Sequence, residues 1–490
     1  MKKLTKNFLY ITALLMIVLS FGCTKNLDEK PVSIISGENY YNNDTEFNAA
    51  INGAFAPLFS GWGAFDFNGI FLLTGGGEDV ASRATAPELR QWDLFQPTLN
   101  GNHASTMWNS CYSSINAANQ IILKAPLASS AVSDANKASY EAQARFIRAL
   151  SYFYLVRFWG EVPIVTVENV LNAKALVQSP VEDIYDVIIA DLTYAENNLA
   201  ATQADKARPT NGAAKAILAK VYLTMAGWPI KDATKYALAR DKALEVMGMG
   251  YELQPNFGDL WLVANKFTSK EFIFIFNGNS GSGSTSSHYH PAQRPGEEGG
   301  WSDVISETRF FNAFPAGPRK DYSFWTVFAD ANHTTWQASN EGSPYIAKFR
   351  DAGAGATRAQ ASVSSNNGDG FFPIIRYADV LLMYAEAANM TENGPSTAAT
   401  DAINLVRRRA GSLADLPYAM EKTAFDAAVI AERNWELAFE GNRWFDLVRK
   451  EMVESANADL YPNLDKHNYL LPKPGTEVYL MPGLKQNDGY

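Results

Sequence analysis

The sequence predicts a mostly α-helical protein whose helices are interrupted by long irregular loop insertions and accompanied by only a few short strands. Three observations predict it. Apolar residues recur at spacings of three and four in segments spread along the whole chain. The clearest strand pattern is one short run near the middle. Two glycine-rich stretches, about 60–100 and 278–370, carry neither period, and loops of that length inside a folded protein are usually functional or disordered.

At the N-terminus, Lys2, Lys3 and Lys6 precede an apolar run from Phe8 to Leu19 that ends at Ser20-Phe21-Gly22-Cys23. A basic start, a short apolar run and a small residue before the cut describe a secretory signal peptide over 1–22. The run falls short of the ~20 apolar residues a membrane span needs, and no later segment approaches that length. Gly22-Cys23 resembles a bacterial lipobox, which makes Cys23 the expected lipidation site and residues 23–37, polar and aperiodic, the tether of a lipid anchor that holds to a membrane without spanning it.

Helical patterns follow. The first covers about 45–58. Trp108, Cys111, Ile115, Ala118 and Ile122 fall on one face of the next, with Cys111 as a core thiol. Residues 138–158 are apolar on two sides, with Phe146, Ala149, Phe153 and Val156 on one and Ile147, Leu150 and Tyr154 on the other, so that helix packs between neighbours until Gly160 and Pro163 end it. Further patterns cover about 181–199, 211–226, 232–247, 373–390, 397–410 and 423–449. Pairs of helices with short links predict a TPR-like helical-pair scaffold, an α-α superhelix of degenerate repeats. Glu271 to Phe276, ended by Asn277-Gly278, reads as the clearest strand, and Val162 to Val165 as a second short extended piece.

Composition excludes several functions. With 52 acidic and 42 basic side chains the net charge is −10, and without residues 1–22 it becomes −13, from 39 basic against 52 acidic. That balance argues against a nucleic-acid partner, which requires a basic face. Two cysteines exclude a disulfide framework and cysteine-rich metal sites. No His-Glu-x-x-His, Gly-x-Ser-x-Gly or P-loop motif occurs. His288-x-His290 lacks an obvious third ligand and reads as a solvated loop pair, so no metal and no cofactor is expected. Glu297, Glu298, Asp303 and Glu307 could supply a glycosidase carboxylate pair, a pattern any acidic protein offers. Arg433, Glu436, Glu440, Arg443 and Asp446 read as an ion-pair stripe that fixes one helix against its neighbours.

What the insertions do concentrate is tryptophan. Segments 60–100 and 278–345 hold Trp62, Trp92, Trp301, Trp325 and Trp336, five of the 11 in the chain, together with Tyr289. Sugar rings have apolar C–H faces that stack on aromatic planes, while their hydroxyls need polar partners. Loop aromatics on a rigid helical frame therefore suit an oligosaccharide. These six aromatics are the candidate ligand-binding residues, with Asp79 and Arg83 as candidate hydroxyl partners.

Ordered landmarks then add a resemblance. Leu27-Asp28-Glu29-Lys30-Pro31 follows Cys23; Trp108-x-x-x-Tyr112-x-x-Ile115-x-x-Ala118-Asn119 comes next; Ala144-Arg145-Phe146-x-Arg148-Ala149-x-x-Tyr152-Phe153 leads into Arg157-Phe158-Trp159-Gly160-Glu161-Val162-Pro163. Later stand Ile375-Arg376-Tyr377-Ala378-Asp379 and Glu432-Arg433-x-x-Glu436-Leu437-x-Phe439-Glu440-Gly441-x-Arg443-Trp444. In these landmarks the chain resembles the SusD/RagB family of outer-membrane nutrient-binding lipoproteins, nearly end to end. The resemblance implies one composite body over 38–490, TPR-like helical pairs as scaffold, and a ligand site on the insertions. It implies no catalysis, an oligosaccharide or polysaccharide ligand, and a SusC-like TonB-dependent outer-membrane channel as partner. A peptide ligand, as in some members of that family, is the second reading, and a surface glycoside hydrolase the third. The matching motifs belong to the scaffold, so no ligand residue carries over from them.

Overall fold

The computed structural model describes residues 40–60, 62–83, 87–279, 281, 287–351, 368–392, 394–411 and 413–490. The expected signal peptide, Cys23 and the tether lie outside the described residues. In chain order the main elements are helices α1 (Asp44–Phe55) and α2 (Phe67–Thr74), strand β1 (Val80–Ser82), and helices α3 (Asn102–Lys124), α4 (Asp134–Trp159), α5 (Val181–Asn198), α6 (Asn211–Met225) and α7 (Lys235–Met247). Strands β2 (Phe272–Asn277), β3 (Val304–Ser306), β4 (Phe324–Trp325), β5 (Tyr345–Ile346) and β6 (Phe371–Arg376) come next, and helices α8 (Tyr377–Thr391), α9 (Thr397–Ala410), α10 (Lys422–Glu436) and α11 (Arg443–Arg449) close the set, with short helical turns between them.

The helices form the scaffold by packing in sequence order, α3 on α4, α4 on α5, α5 on α6, α6 on α7 and α7 on α8, with α9 and α10 completing the stack on α8. Local chemistry sets the ends. Ser133 caps α4 by accepting from the Asn136 N–H at 3.2 Å, Thr210 caps α6 through Ala213, and Ser396 caps α9 through Ala399. Gly160 ends α4 at φ 68°, where a side chain would be strained. Both sides of α4 are buried, as its double apolar pattern requires, and Ala213, Ala214, Ala216 and Ala219 let neighbours approach α6 closely. Cys111 is a buried free thiol on α3.

Two expected helices are corrected. Residues 373–376 belong to β6, which pairs antiparallel with β2 between Phe272–Asn277 and Phe371–Arg376. The pattern over 423–449 breaks after Glu436, because Phe439 and Gly441 take φ values of 68° and 70°, which a continuous helix does not accommodate. The stripe from Arg433 to Asp446 is therefore split between α10, the turn after it and α11.

That turn anchors the insertions. Arg319 donates to Glu432 at 2.5 Å and Glu436 at 2.9 Å, and Lys348 to Glu440 at 2.7 Å. Arg376 reaches Glu271, Glu436 and Glu440, each at 2.7 Å, and Arg409 binds Glu271 and Glu436. All of these charges are buried. Burial alone would raise the Glu436 carboxyl, but Arg409, Arg376, Arg319 and Lys348 outweigh it and hold the group well below the ordinary range. Burial brings Lys348 down to about 8. Losing one member of such a buried set strands its partner, a cost of about 3–5 kcal/mol. The long insertion is thus bolted to the scaffold at Arg319 and Lys348.

Candidate functional site

The two tryptophan-bearing loops, far apart in sequence, are joined to each other. Strands β1 and β3 pair antiparallel, Val80 opposite Ser306, and the Glu307 N–H donates to the Asp79 carbonyl at 3.1 Å. Arg83 pairs with Asp303 at 2.9 Å. Asp66, at the start of α2, is fully buried; it accepts from the His288 N–H at 2.7 Å, meets His288 Nδ1 at 2.5 Å and accepts from the Trp62 N–H at 3.2 Å.

This junction brings two of the expected residues together. Trp62 and Trp301 lie nearly parallel, 14° apart with centroids at 5.7 Å. His288 packs against both, at 4.6 Å from Trp62 and 6.0 Å from Trp301, and Phe67 meets each edge-on. Trp62 is 52% exposed, the most exposed of the five loop tryptophans, and Trp301 is half-buried. The Trp62 backbone sits at φ 71°, which costs a non-glycine residue about 1–2 kcal/mol. Asp66 holds its N–H and the Asn68 amide binds its carbonyl, so the strain is fixed from both sides. Asn68 Oδ1 in turn contacts His103 Nδ1 at 3.0 Å and accepts from the exposed Asn102 at 3.4 Å, both on the first turn of α3. The result is an apolar indole strip bordered by amides and an imidazole.

The other candidates fall elsewhere. Trp92 is 4% exposed and meets Trp444 edge-on at 4.7 Å; its expected place on the surface is corrected to the core. Tyr289 is likewise interior, stacked on Phe372 at 5.1 Å. Asp79 is buried and accepts from the Phe439 N–H at 3.3 Å; burial, with Glu78 nearby, pushes its carboxyl up to about 7. None of these three offers a face to a ligand. Arg83 remains partly exposed but engages Asp303. Trp325 donates to Glu298 at 2.7 Å beneath the Arg350 guanidinium, and Trp336 packs on Phe311; both lean on a small cluster of Ile305, Phe328 and Tyr345, apart from the Trp62 strip. His288 and His290, expected to be solvated, are both buried. Sequence reading missed Asp66, Asn68 and His103, because the partner that gives Asp66 its role stands 222 residues away.

A superhelix of helical pairs that carries a paired-indole strip on two cross-linked insertions defines the class, a helical-repeat scaffold with an aromatic surface site. The model of the SusD family matches residues 326–490, and a model described as "Starch-binding associating with outer membrane" matches residues 77–223. SusD-like protein P2 of Formosa agariphila is 30% identical over 98% of this chain and 99% of its own length. Among solved structures, a SusD superfamily protein of Parabacteroides distasonis superposes with a TM-score of 0.78 at 26% identity, covering 93% of this chain and all of that one. A laminarin-binding SusD-like protein gives 0.76 at 25% identity, covering 92% and 100%. The chain belongs to the SusD/RagB family. No helix among the described residues is long and apolar enough to cross a membrane.

Proposed function

We propose that this protein is a non-catalytic, cell-surface glycan-binding lipoprotein, anchored to the outer membrane through Cys23 and consisting of one composite body over 38–490. It captures an oligosaccharide or polysaccharide on the strip of Trp62 and Trp301 and delivers it to a SusC-like TonB-dependent channel. The observation that carries the reading is the parallel indole pair, exposed at Trp62 and half-buried at Trp301, beside the Asp66–His288 junction. Stacking on sugar C–H faces uses the indole planes, and the exposed Asn102 amide supplies hydrogen bonds at the border. Family membership, the described association of one matching family model with the outer membrane, and the laminarin ligand of one structural relative support it.

A glycan array probed with the purified protein, including laminarin oligosaccharides, tests this. Binding to at least one glycan class, with a change in tryptophan fluorescence, is expected; silence across neutral and acidic glycans contradicts it. For the anchor, Cys23→Ser is expected to move the protein from the membrane fraction to the soluble one, and unchanged membrane recovery refutes lipidation there.

A further inference from the structure

One cavity shares no residue with the tryptophan strip. It has a volume of about 600 Å³ and opens at the C-terminal end of α4, between α5, α11 and the C-terminal segment. Arg157 lines it together with Tyr185, Trp228 and Phe445. The Arg157 guanidinium lies 3.8 Å from the ring centroids of both Phe153 and Phe445 and 4.5 Å from that of Tyr154, and its Nε donates to the Phe153 carbonyl at 2.9 Å. Among the described residues no carboxylate comes within 4.0 Å of it.

This sets Arg157 apart. Arg319, Arg376, Arg409, Arg433 and Arg449, the other interior arginines of the scaffold junctions, each hold at least one carboxylate. Asp446, next to Phe445 in sequence, is engaged by Arg433 and Arg449. Glu161 and Asp488 also line the cavity but are exposed, where water screens them. A largely desolvated cation that meets ring faces and a carbonyl but no carboxylate is costly, and burial lowers its pKa accordingly. An anion entering the cavity would complete it with charge-assisted hydrogen bonds. Volume and walls limit the rest of such a ligand to a ring-sized, partly apolar body.

We propose that this cavity is a second ligand site, for a small organic carboxylate whose acid group meets Arg157 and whose body packs against Tyr185, Trp228 and Phe445. Calorimetric titration of the full chain with benzoate and glucuronate, and with benzamide and glucose as neutral counterparts, tests it. At least one acid is expected to bind ten times or more tighter than its neutral counterpart. Arg157→Gln is expected to abolish that preference. Val181→Trp, which adds bulk to the cavity wall and keeps Arg157, is expected to abolish the binding and decides the question where Arg157→Gln fails to fold. Trp62→Ala is expected to leave it in place. Absence of binding by both acids, equal binding of acid and neutral partner, or full binding by Val181→Trp overturns the proposal.

Discussion

Asp66→Ala removes the acceptor that joins the two loops beneath the indole strip. Three donors lose their partner: the His288 N–H, the His288 ring nitrogen and the Trp62 N–H. Trp62 is half exposed, so water can replace its bond, but His288 is 4% exposed and its two groups stay dry. A buried donor left unmet costs about 1–3 kcal/mol, so with two of them the expected loss of stability is about 2–6 kcal/mol. Binding should fall through a different route. Without Asp66 the φ 71° turn at Trp62 loses one of its two holds, and the parallel contact with Trp301 is no longer preformed. An aromatic pair is worth about 0.5–1.5 kcal/mol, equivalent to roughly 2–13-fold in affinity for a ligand that needs it. Chemical denaturation followed by far-UV circular dichroism reads the first effect, and calorimetry with a glycan identified on the array reads the second. Wild-type stability together with wild-type affinity would refute the claim that Asp66 assembles the site.

Other expectations follow from residues placed in the core. Trp92→Ala should cost about 3–5 kcal/mol of stability, since it empties a buried site against Trp444, while glycan affinity measured well below the melting temperature stays within twofold of wild type. Asp79 binds its proton up to about pH 7 when folded but only to its ordinary 3.8 when unfolded, so the folded state holds more protons between those values and stability falls as pH rises through that window. Asp79→Asn should therefore match wild type near pH 4 and exceed it at pH 8 by up to about 4 kcal/mol; thermal melts across pH check this, and parallel curves would contradict it. Glu386 shows the opposite sign. Burial would raise its carboxyl, but Arg449 and Lys450 outweigh that and bring it from 4.5 to about 2, so its contribution is present above about pH 4.5 and disappears as pH falls towards 2. Glu386→Gln should destabilise by about 3–5 kcal/mol at pH 7, with the deficit shrinking in acid; a deficit that stays constant between pH 7 and 2.5 counts against the ion pair as its source.

The scaffold was legible because helix periodicity is local. The double apolar face of α4 and the alanine face of α6 are visible within one or two turns, and both helices appear where their patterns stand. Residues 373–376 of β6 read as the start of a helix because that strand is buried throughout, and a short apolar run does not distinguish the two. The break after Glu436 hid inside a charge stripe that looks helical until Phe439 and Gly441 adopt positive φ. The candidate site was legible only as a pair of regions. Trp62 and Trp92 look alike in sequence, each in the same irregular stretch without helical or strand period. What separates them is the partner that arrives from far along the chain, His288 and Trp301 beside one and Trp444 against the other. Local pattern identifies which loops are aromatic; which indoles face water depends on contacts hundreds of residues apart.

The most direct test of the indole strip is calorimetry of the double variant Trp62→Ala with Trp301→Ala against wild type, using the tightest glycan found on the array. Stacking on an aromatic face is worth about 0.5–1.5 kcal/mol per ring, so a loss of roughly 5–160-fold is expected, with a circular dichroism spectrum like that of wild type. Undiminished affinity in a folded double variant would place the glycan elsewhere on the protein.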